Sequence, residues 1–407
     1  MPKKNSFIIG IFWEQFDWGG VDTHLKNLLE NWECNNDKII IYHNKDNKGA
    51  KRLKKQLKNK IKNVKFHQFN SLFNSKKNYF NFLLEPIKFF FSVYKYQSFL
   101  KKDKLDIIIC ENGGYPASYG VSAALVSSFK LNLPVRILRI HHAVSKQKII
   151  KRPFLYYLDK TLSKASSCIM FGSYANKESI NKYSSLLKNK KTTSKVIYYC
   201  VPNLKKNNFK KIFKKENNEK LIGILGRIEA YKGHEDLIKA FSKLSNKIKN
   251  KNKLMIIGSG KKMYVDKLKD IIKSFNLSKN VIFTGYLDEN IENIIKSLDL
   301  VVMATRDYEG FGYTVAEAMS AGTPVLASKV GAIQEVMSLN EGGLFKPKNI
   351  DELLKNLIDF NKNNNKWKKR AKDAKIKINR RFNSKKIIKE FREYLIKQFN
   401  EKLLKKK

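Results

Sequence analysis

The stretch Arg306–Ser328, RDYEGFGYTVAEAMSAGTPVLAS, decides how this sequence is interpreted. It places Glu309 and Glu317 eight residues apart, with Gly310 and Gly312 close behind the first glutamate. The apolar run that carries Glu317 predicts a helix, and the turn after it leads into a short buried strand. Glycine-rich backbone at a helix start binds anions, and carboxylates accept hydrogen bonds from hydroxyls. The pattern therefore predicts a site for a ligand that carries both phosphate and polyol groups.

Three further segments lie upstream of this stretch, and each pairs an apolar strand-like run with a glycine turn. They are ILGR at Ile224–Arg227 followed by KGHEDLI at Lys232–Ile238, LMIIGSG at Leu254–Gly260, and VIFTGYL at Val281–Leu287. The block EGFGYTVAEAMSAGTPVLAS resembles the E-x7-E signature of retaining glycosyltransferases of family 4, which have the GT-B fold. The other segments match the same family in the same order, and the resemblance is specific over about residues 219–345.

The resemblance implies an α/β protein of GT-B architecture, with two Rossmann-like domains whose parallel sheets face each other across a cleft. It implies that Arg227 and Lys232 hold the diphosphate of a nucleotide-sugar donor, where fixed positive charge stabilises the leaving group. Glu309 would accept hydrogen bonds from sugar hydroxyls, and Glu317 would bind the ribose diol. Backbone N–H groups directly after the first glutamate would face the sugar or phosphate; these belong to Gly310, Phe311 and Gly312.

Each of these assignments has a purely structural alternative. Arg227 and Lys232 can form surface ion pairs with Glu229 or Glu235, which lie close in the sequence. Glu317 can be a solvated helix residue, although its apolar neighbours predict burial, and a buried carboxylate needs a partner. The presence of both glutamates and both cations in one chain favours the functional assignment.

The resemblance also covers positions with weaker signals. The turn Gly19–Gly20 is similar to a family loop that closes over the donor phosphates. His141, or alternatively His142, ends a strand where the family places a histidine near the donor sugar. Tyr286 follows a glycine turn beside the expected position of the base, and Glu335 lies near the expected cleft.

The sequence departs from the family in two places. YCVPN at Tyr199–Asn203 replaces the usual Asn-Gly after the last strand of the first domain, and Ala332 replaces a second glycine. The first change leaves the donor site intact and affects the acceptor side and the hinge. The resemblance implies retention at the anomeric carbon by a front-face mechanism. It implies no metal and no cofactor, with the nucleotide-diphosphate sugar as donor substrate.

The net charge is +46, from 82 lysines and arginines against 36 aspartates and glutamates. Such a charge favours nucleic acid, an anionic membrane or another polyanion as a partner. Only ten of the 82 basic residues are arginine, and asparagine is abundant, which favours a compositional origin over selection for phosphate binding. We expect no specific nucleic-acid partner and, where the charge is functional, attraction to an anionic lipid surface.

The sequence also bears on location. No apolar stretch reaches eighteen residues, so no transmembrane helix is expected. The start, MPKKNSFIIGIFW, lacks a small-residue cleavage site, so a signal peptide is not expected. The widely spaced Cys34, Cys110, Cys168 and Cys200 are typical of a reducing compartment rather than of zinc sites or disulfides. The expected location is the cytoplasm, with a peripheral position at the inner face of the membrane as the variant.

Strands that alternate with helices predict parallel sheets in two domains. The predicted strands of the first half are Phe7–Phe12, Ile39–Tyr42, Val64–Phe66, Leu105–Cys110, Pro134–Ile140, Ser167–Phe171 and Val196–Tyr199. Those of the second half are Leu221–Leu225, Leu254–Ile257, Val281–Thr284, Asp299–Met303 and Pro324–Ala327. The predicted domains are residues 1–204 and 221–375, joined by a polar linker at 205–220. The helical segment 376–407 is expected to pack back on the first domain.

Residues 76–102, KKNYFNFLLEPIKFFFSVYKYQSFLKK, combine aromatic side chains with flanking lysines. The segment fits either an interfacial helix that serves a lipid-linked acceptor or a pair of core helices interrupted near Pro86. The favoured function is sugar transfer to a hydroxyl of a glycan or lipid-linked acceptor, in polysaccharide or lipopolysaccharide biosynthesis. The alternatives are a same-fold enzyme such as a sugar-nucleotide epimerase, an inactive relative, and a nucleic-acid-binding protein.

Overall fold

The computed structural model describes residues 6–16, 19–57, 63–73, 84–116, 118–144, 152–189, 192–202, 209–216 and 218–404. The chain divides into two units. The first unit consists of Met1–Cys200 together with Ser384–Lys407, and the second consists of Val201–Asn383. Each unit is built on one parallel β-sheet, so the α/β class and the two Rossmann-like domains predicted from the sequence are confirmed.

The first unit has a seven-stranded sheet with the order β3-β2-β1-β4-β5-β6-β7. Its strands are β1 Ile8–Trp13, β2 Lys38–Asn44, β3 Val64–Phe69, β4 Ile107–Asn112, β5 Val135–Ile140, β6 Cys168–Phe171 and β7 Thr193–Val196. Its first six helices are α1 Gly20–Glu30, α2 Lys48–Leu57, α3 Glu85–Leu100, α4 Tyr119–Lys130, α5 Arg152–Ala165 and α6 Tyr174–Tyr183.

Strand β1 shows why this sheet is covered on both faces. Successive strand side chains point to opposite faces, and Ile9 and Ile11 join one apolar cluster while Phe12 joins another. The first cluster includes Leu25 of α1 and the second includes Tyr96 of α3. Burial of apolar side chains on both faces is the main favourable term in folding such a sheet.

The second unit has a six-stranded parallel sheet with the order β10-β9-β8-β11-β12-β13. Its strands are β8 Lys220–Leu225, β9 Asn252–Ile257, β10 Val281–Gly285, β11 Leu300–Met303, β12 Val325–Ser328 and β13 Gly343–Phe345. Its helices are α7 His234–Ser242, α8 Asn246–Lys249, α9 Lys262–Ser274, α10 Ile291–Lys296, α11 Tyr313–Ala321, α12 Ile333–Val336, α13 Ile350–Lys362 and α14 Asn364–Arg381. The last helix of the chain, α15 Ser384–Leu404, belongs to the first unit.

Strand order determines where ligands bind in such sheets. The order reverses between β1 and β4 in the first unit and between β8 and β11 in the second. Loops at the carboxyl ends of the strands on either side of such a reversal form a crevice where ligands bind. The segments after β8 and β11 hold Arg227, Lys232 and Glu309, so the second unit brings three predicted site residues to one edge of its sheet.

The structure differs from the sequence prediction at several boundaries. Strand β7 ends at Val196, where the predicted strand begins, and the three-residue strand β13 was not predicted. The predicted domain boundary after residue 375 falls inside α14, and the division between the units lies at Asn383/Ser384. Part of the predicted linker, and the amino-terminal part of segment 76–102, lie outside the described residues.

Helix α15 is fixed to the first unit by both apolar and charged contacts. Phe391 and Phe399 are buried in the same apolar cluster as Phe7, and the Phe7 and Phe399 ring centroids are 5.2 Å apart. The Arg392 guanidinium donates to both carboxylate oxygens of buried Asp37, at 2.8 and 3.2 Å. Among the described residues, no helix is both long and apolar enough to span a membrane.

Candidate active site

The loop after β8 carries Arg227 and Lys232, and a glycine with positive φ lies at each end of this stretch. Gly226 has φ +133° and Gly233 has φ +75°. A Cβ atom on Gly233 would lie 1.9 Å from the carbonyl oxygen of Ala304, just after β11. Only glycine fits this close approach and this backbone conformation. The loop is thereby held against the end of β11, where the segment with Glu309 begins.

The Arg227 guanidinium lies at the surface of this loop, with 55% of its side chain exposed. Nη1 donates to Glu229 Oε1 at 2.9 Å, and Nη2 donates to the Tyr231 hydroxyl at 3.0 Å. The ion pair with Glu229, which the sequence left open as an alternative, is therefore present. Exposed pairs of this kind are worth little free energy, so the guanidinium can exchange this partner for another anion at small cost.

Lys232 and Glu309 form the central contact of the site. Lys232 Nζ lies 2.8 Å from Glu309 Oε2, and only 23% and 19% of the two side chains are exposed. Burial lowers the pKa of the Lys232 ammonium, whereas the Glu309 carboxylate and the Tyr231 hydroxyl raise it. The net shift of this pKa is upward. Lys232 therefore remains charged at neutral pH. This pair joins residues 77 positions apart and was not predicted.

Backbone packing fixes the position of Glu309. Its carbonyl oxygen accepts a hydrogen bond from the Ala332 N–H at 2.9 Å. A Cβ atom on Gly331 would lie 2.1 Å from that same oxygen, and Gly331 has φ +51°. Gly312 has φ +86°, and its missing Cβ leaves room for Ile333. The glutamate is thus locked between its own glycine turn and the segment before α12.

Helix α11 begins immediately after this turn and carries Glu317. Gly312 is its N-cap, and Glu317 is only 7% exposed, as its apolar neighbours predicted. The Phe311 side chain is 3% exposed and packs against the rings of Tyr313 and Phe382, at 5.1 and 5.4 Å between centroids. Phe311 therefore offers a ligand its backbone rather than its ring.

Arg306 braces the two loops and was not singled out from the sequence. Its Nε and Nη2 donate to the two carboxylate oxygens of Asp236 at 2.7 and 2.6 Å, a bidentate pair. Its backbone N–H also donates to the Tyr231 carbonyl at 2.7 Å. Bidentate arginine pairs add geometric specificity as well as energy, so this pair holds the segment after β11 against α7. Arg306 is the first residue of the stretch Arg306–Ser328, and Asp236 follows Lys232 by four residues. These two positions were the signal from which the pair could have been predicted.

Tyr286 and Glu335 belong to the same unit as Lys232 and Glu309. Tyr286 is 54% exposed and follows Gly285, which has φ +68° and accepts a hydrogen bond from the Gly258 N–H at 2.9 Å. Glu335 lies on the short helix α12, partly exposed, after the glycine that supports Glu309.

The Gly19–Gly20 turn opens α1 of the first unit. Gly19 is the N-cap, and its N–H donates to Asp22 Oδ2 at 2.6 Å, with Gln15 Nε2 donating to the same oxygen at 2.8 Å. A Cβ atom on Gly20 would meet no other atom within 4 Å, and Gly20 is not among the glycines with positive φ. Neither local packing nor backbone conformation therefore requires glycine at position 20.

His141 belongs to a buried polar cluster of the first unit. Its Nε2 is paired with the Glu111 carboxylate, and its Nδ1 lies 2.6 Å from the Tyr199 hydroxyl. The side chains of Glu111, His141 and Tyr199 are 1%, 7% and 2% exposed. Burial lowers the pKa of His141, although Glu111 opposes this shift. Both ring nitrogens are already engaged inside the unit, so direct contact with a sugar hydroxyl would require one of these bonds to break.

Arg139 links this polar cluster to the last helix of the chain. The buried Arg139 guanidinium lies 5.1 Å from the ring centroid of Tyr199 and 4.8 Å from that of Phe391 on α15. The His24 ring lies 5.2 Å from that of His141. The sequence pointed to His141 by its position after β5, but the partners come from separate elements and carried no common signal.

Among the described residues, no three His, Cys, Asp or Glu side chains are grouped so as to hold a metal ion. The four cysteines are free thiols. The groups that the second unit offers to a ligand are two cations, the carboxylates of Glu309 and Glu317, and the backbone of a glycine turn.

The fold agrees with what comparisons with known proteins find. HepE of Anabaena, solved in complex with UDP-glucose, has a TM-score of 0.71 to this chain at 18% identity, with 96% of this chain and 99% of that chain covered. At this identity the likeness establishes the fold alone. The protein has the GT-B fold of glycosyltransferases, with two Rossmann-like units.

A second comparison concerns the amino-acid sequence of the second unit. Residues 205–377 match the family model for glycosyl transferases group 1. The matched segment covers most of Val201–Asn383 and contains both Lys232 and Glu309. The second unit is therefore similar in sequence to glycosyl transferases group 1.

Two curated relatives match parts of the chain. An uncharacterized glycosyltransferase of Methanocaldococcus jannaschii is 35% identical over 148 residues, which are 36% of this chain and 37% of that protein. The lipopolysaccharide core biosynthesis mannosyltransferase LpsB of Rhizobium meliloti is 37% identical over 75 residues, which are 18% of this chain and 21% of that protein. The chain thus spans well under two thirds of the length of these relatives.

Proposed function

We propose that this protein transfers a sugar from a nucleoside-diphosphate sugar to a hydroxyl acceptor with retention at the anomeric carbon. The observation that carries this proposal is the contact between Lys232 and Glu309 at 2.8 Å, with buried Glu317 on the helix that follows. A fixed cation beside a fixed carboxylate suits a ligand with an anionic diphosphate and a polyol sugar. The same fold in HepE holds UDP-glucose.

Donor binding is assigned to the second unit. The Lys232 ammonium has three N–H donors, so Glu309 occupies one and the others remain for diphosphate oxygens. Arg227 would leave Glu229 and fork onto the same diphosphate. Glu309 accepts hydrogen bonds from the sugar hydroxyls, and Glu317 accepts them from the ribose diol. Backbone N–H groups of the Gly310–Gly312 turn complete the donor site, and Tyr286 lies beside the base.

The transfer step follows from the charges of this site. The bond between the anomeric carbon and the diphosphate oxygen breaks, and negative charge builds on the leaving oxygen. Lys232 and Arg227 stabilise that charge without a metal ion, while Glu309 faces the positive charge that develops on the sugar. The acceptor oxygen forms the new bond on the same face, and its proton passes to the leaving phosphate. No cofactor takes part in the proposed reaction.

The first unit is assigned to the acceptor, with one contribution to the donor. A Cβ atom on Gly20 would meet no other atom within 4 Å, and we assign this open space to the donor phosphates. The two ring nitrogens of His141 are engaged by Glu111 and Tyr199. We therefore assign His141 as a positioning residue, which holds the edge of the first sheet in place rather than touching the substrate. The similarity to LpsB supports a glycan or lipid-linked acceptor in surface polysaccharide or lipopolysaccharide biosynthesis. Four free cysteines support a cytoplasmic location.

The test is release of nucleoside diphosphate from a panel of nucleotide sugars by the intact protein, with glycan and lipid-linked acceptors added in turn. The Lys232→Met variant should lose about 10²–10³-fold in turnover, as when one charge-stabilising donor is removed from an active site. Lys296→Met is the matched control, because Lys296 also forms an ion pair with a glutamate but lies on α10. Its turnover should equal that of the wild type.

The product shows the stereochemistry. Proton NMR of the new glycosidic bond should show the same anomeric configuration as the donor. Inversion would contradict the front-face assignment. Equal turnover in Lys232→Met and Lys296→Met would contradict the role given to the ion pair, and absence of nucleoside diphosphate release with every donor and acceptor would count against a transferase.

A further inference from the structure

Helix α3 and helix α5 of the first unit expose a continuous row of large apolar side chains. On α3, Tyr94 is 81% exposed and Phe91 is 65% exposed. We call this surface the aromatic patch, and its members are Leu84, Ile87, Phe90, Phe91, Tyr94, Tyr156 and Tyr157. Single exposed apolar residues are ordinary on protein surfaces, but contiguous ones mark interaction sites.

The sequence of α3 explains how the patch arises. Phe89, Val93, Tyr96 and Leu100 recur at helical spacing and are buried in the core of the first unit. A second apolar stripe, which begins at Ile87, recurs at the same spacing on the opposite side and stays exposed. A surface helix of a globular protein normally has one apolar face. Most of the surface of the second stripe therefore stays outside the core of the described fold.

Helix α5 extends the patch beyond α3. The Phe90 and Tyr157 ring centroids are 6.2 Å apart, so the two helices form one surface. Lys160 Nζ lies 4.6 Å from the centroid of the Tyr156 ring. An aromatic belt with a lysine at its rim has the composition found where proteins lie in the headgroup region of a bilayer.

The charges around the patch are mainly positive. The described acidic residues on or next to α3 and α5 are Glu85, Asp103 and Asp159, and the Asp103 carboxylate accepts a hydrogen bond from the Tyr42 hydroxyl at 2.5 Å. Asp159 is 5% exposed and accepts hydrogen bonds from Tyr115 and Ser184, so its charge is satisfied inside the unit. The described lysines on or next to the two helices are Lys88, Lys95, Lys101, Lys102, Lys104, Lys160 and Lys164.

We propose that the aromatic patch docks this protein on an anionic lipid bilayer, with the rings in the headgroup region and the lysines against anionic lipids. Apolar burial and lysine attraction act together at such a surface. A second copy of the chain fits less well, because each copy carries a net charge of +46. Nucleic acid matches the lysines but would leave a wide aliphatic and aromatic surface unused. Docking needs no donor sugar, so it can be tested independently of the proposed transferase activity.

The first experiment is sedimentation of the full chain with vesicles of phosphatidylcholine alone or mixed with phosphatidylglycerol, at low and at physiological salt. Phe91→Ser/Tyr94→Ser removes two rings without changing the charge. We expect about tenfold or greater loss of partitioning to the mixed vesicles, from the apolar area withdrawn. Met263→Ser is the matched control, because Met263 is 82% exposed on α9 of the second unit. It should partition like the wild type.

The second experiment locates the patch directly. Tyr94→Trp should be quenched by lipids with brominated acyl chains, and Met263→Trp should not be. Equal partitioning of the wild type and the double variant would overturn the proposal, because the net charge alone would then explain binding. Absence of quenching at position 94 would overturn it as well. So would a dimer, seen by sedimentation velocity without lipid, that the double variant abolishes, since the patch would then join two copies.

Discussion

Lys232 and Glu309 show what a single pair of residues contributes to this molecule. Each was assigned to the donor from the sequence, but their contact at 2.8 Å required the fold, because 77 positions separate them. Partly buried charges are most stable when the partners stay together. In the proposed function, the donor is therefore recognised by an ion pair that already exists in the protein alone. No sequence pattern predicted the partners of His141, because Glu111 and Tyr199 come from other strands and loops.

Asp22 yields a prediction about pH. Burial raises the pKa of this carboxyl from 3.8 to about 7, although the Gly19 N–H, Gln15 and the Arg52 charge oppose the shift. The folded state therefore holds a proton that the unfolded state has released. The stabilisation is complete below the unfolded pKa and is lost as pH rises through about 7, by at most about 4–5 kcal/mol.

Asp22→Asn keeps the acceptor for the Gly19 N–H and removes the titration. Between pH 5 and 7.5, the free energy of unfolding of the wild type should fall relative to that of this variant, as measured by urea denaturation. Asp266→Asn, on α9, is the control and should follow the wild type. Parallel pH profiles for Asp22→Asn and the wild type would show that Asp22 does not titrate in this range.

At the scale of elements, the turns were more informative than the strands. Hydrophobic runs predicted most strands, since parallel strands covered on both faces are continuously apolar. Strand β13 has only three residues, too few for a pattern, and β7 was displaced because Ile197–Tyr199 is apolar but lies beyond the strand. The glycine turns predicted the loops of the candidate site, but which glycine the packing requires could be learned only from the fold.

Gly233 is a glycine that the packing requires, and Gly20 is one that it does not require. Gly233→Ala should destabilise the second unit by about 2 kcal/mol or more, because φ is +75° and the Ala304 oxygen lies 1.9 Å from the new Cβ. Gly20→Ala should leave the thermal midpoint unchanged or slightly higher, since it fills open space at a helix start. It should instead weaken donor binding. A thermal scan and a donor titration of both variants measure the contrast, and a stable Gly233→Ala protein would contradict the packing argument.

At the scale of the whole molecule, the chain is two Rossmann-like units, and the last helix returns to the first of them. The alternation of strands and helices was enough to predict two parallel sheets, because that alternation has few other solutions. The break between α14 and α15 was not predicted, since both sides of it are basic and helical. A part of the net charge of +46 gains a proposed role only where α3 exposes aromatic rings among lysines.

The most direct test of the central claim is a calorimetric titration of nucleoside diphosphates and nucleotide sugars into the wild type, Glu317→Ala and Glu292→Ala. Glu292 is the control, because it pairs with Lys296 on α10. One nucleotide should bind to the wild type and to Glu292→Ala alike. Glu317→Ala should weaken that binding by about tenfold or more, the effect of losing hydrogen bonds to a charged group. Binding of no nucleotide, or equal binding by all three proteins, would contradict a donor site at Lys232, Glu309 and Glu317.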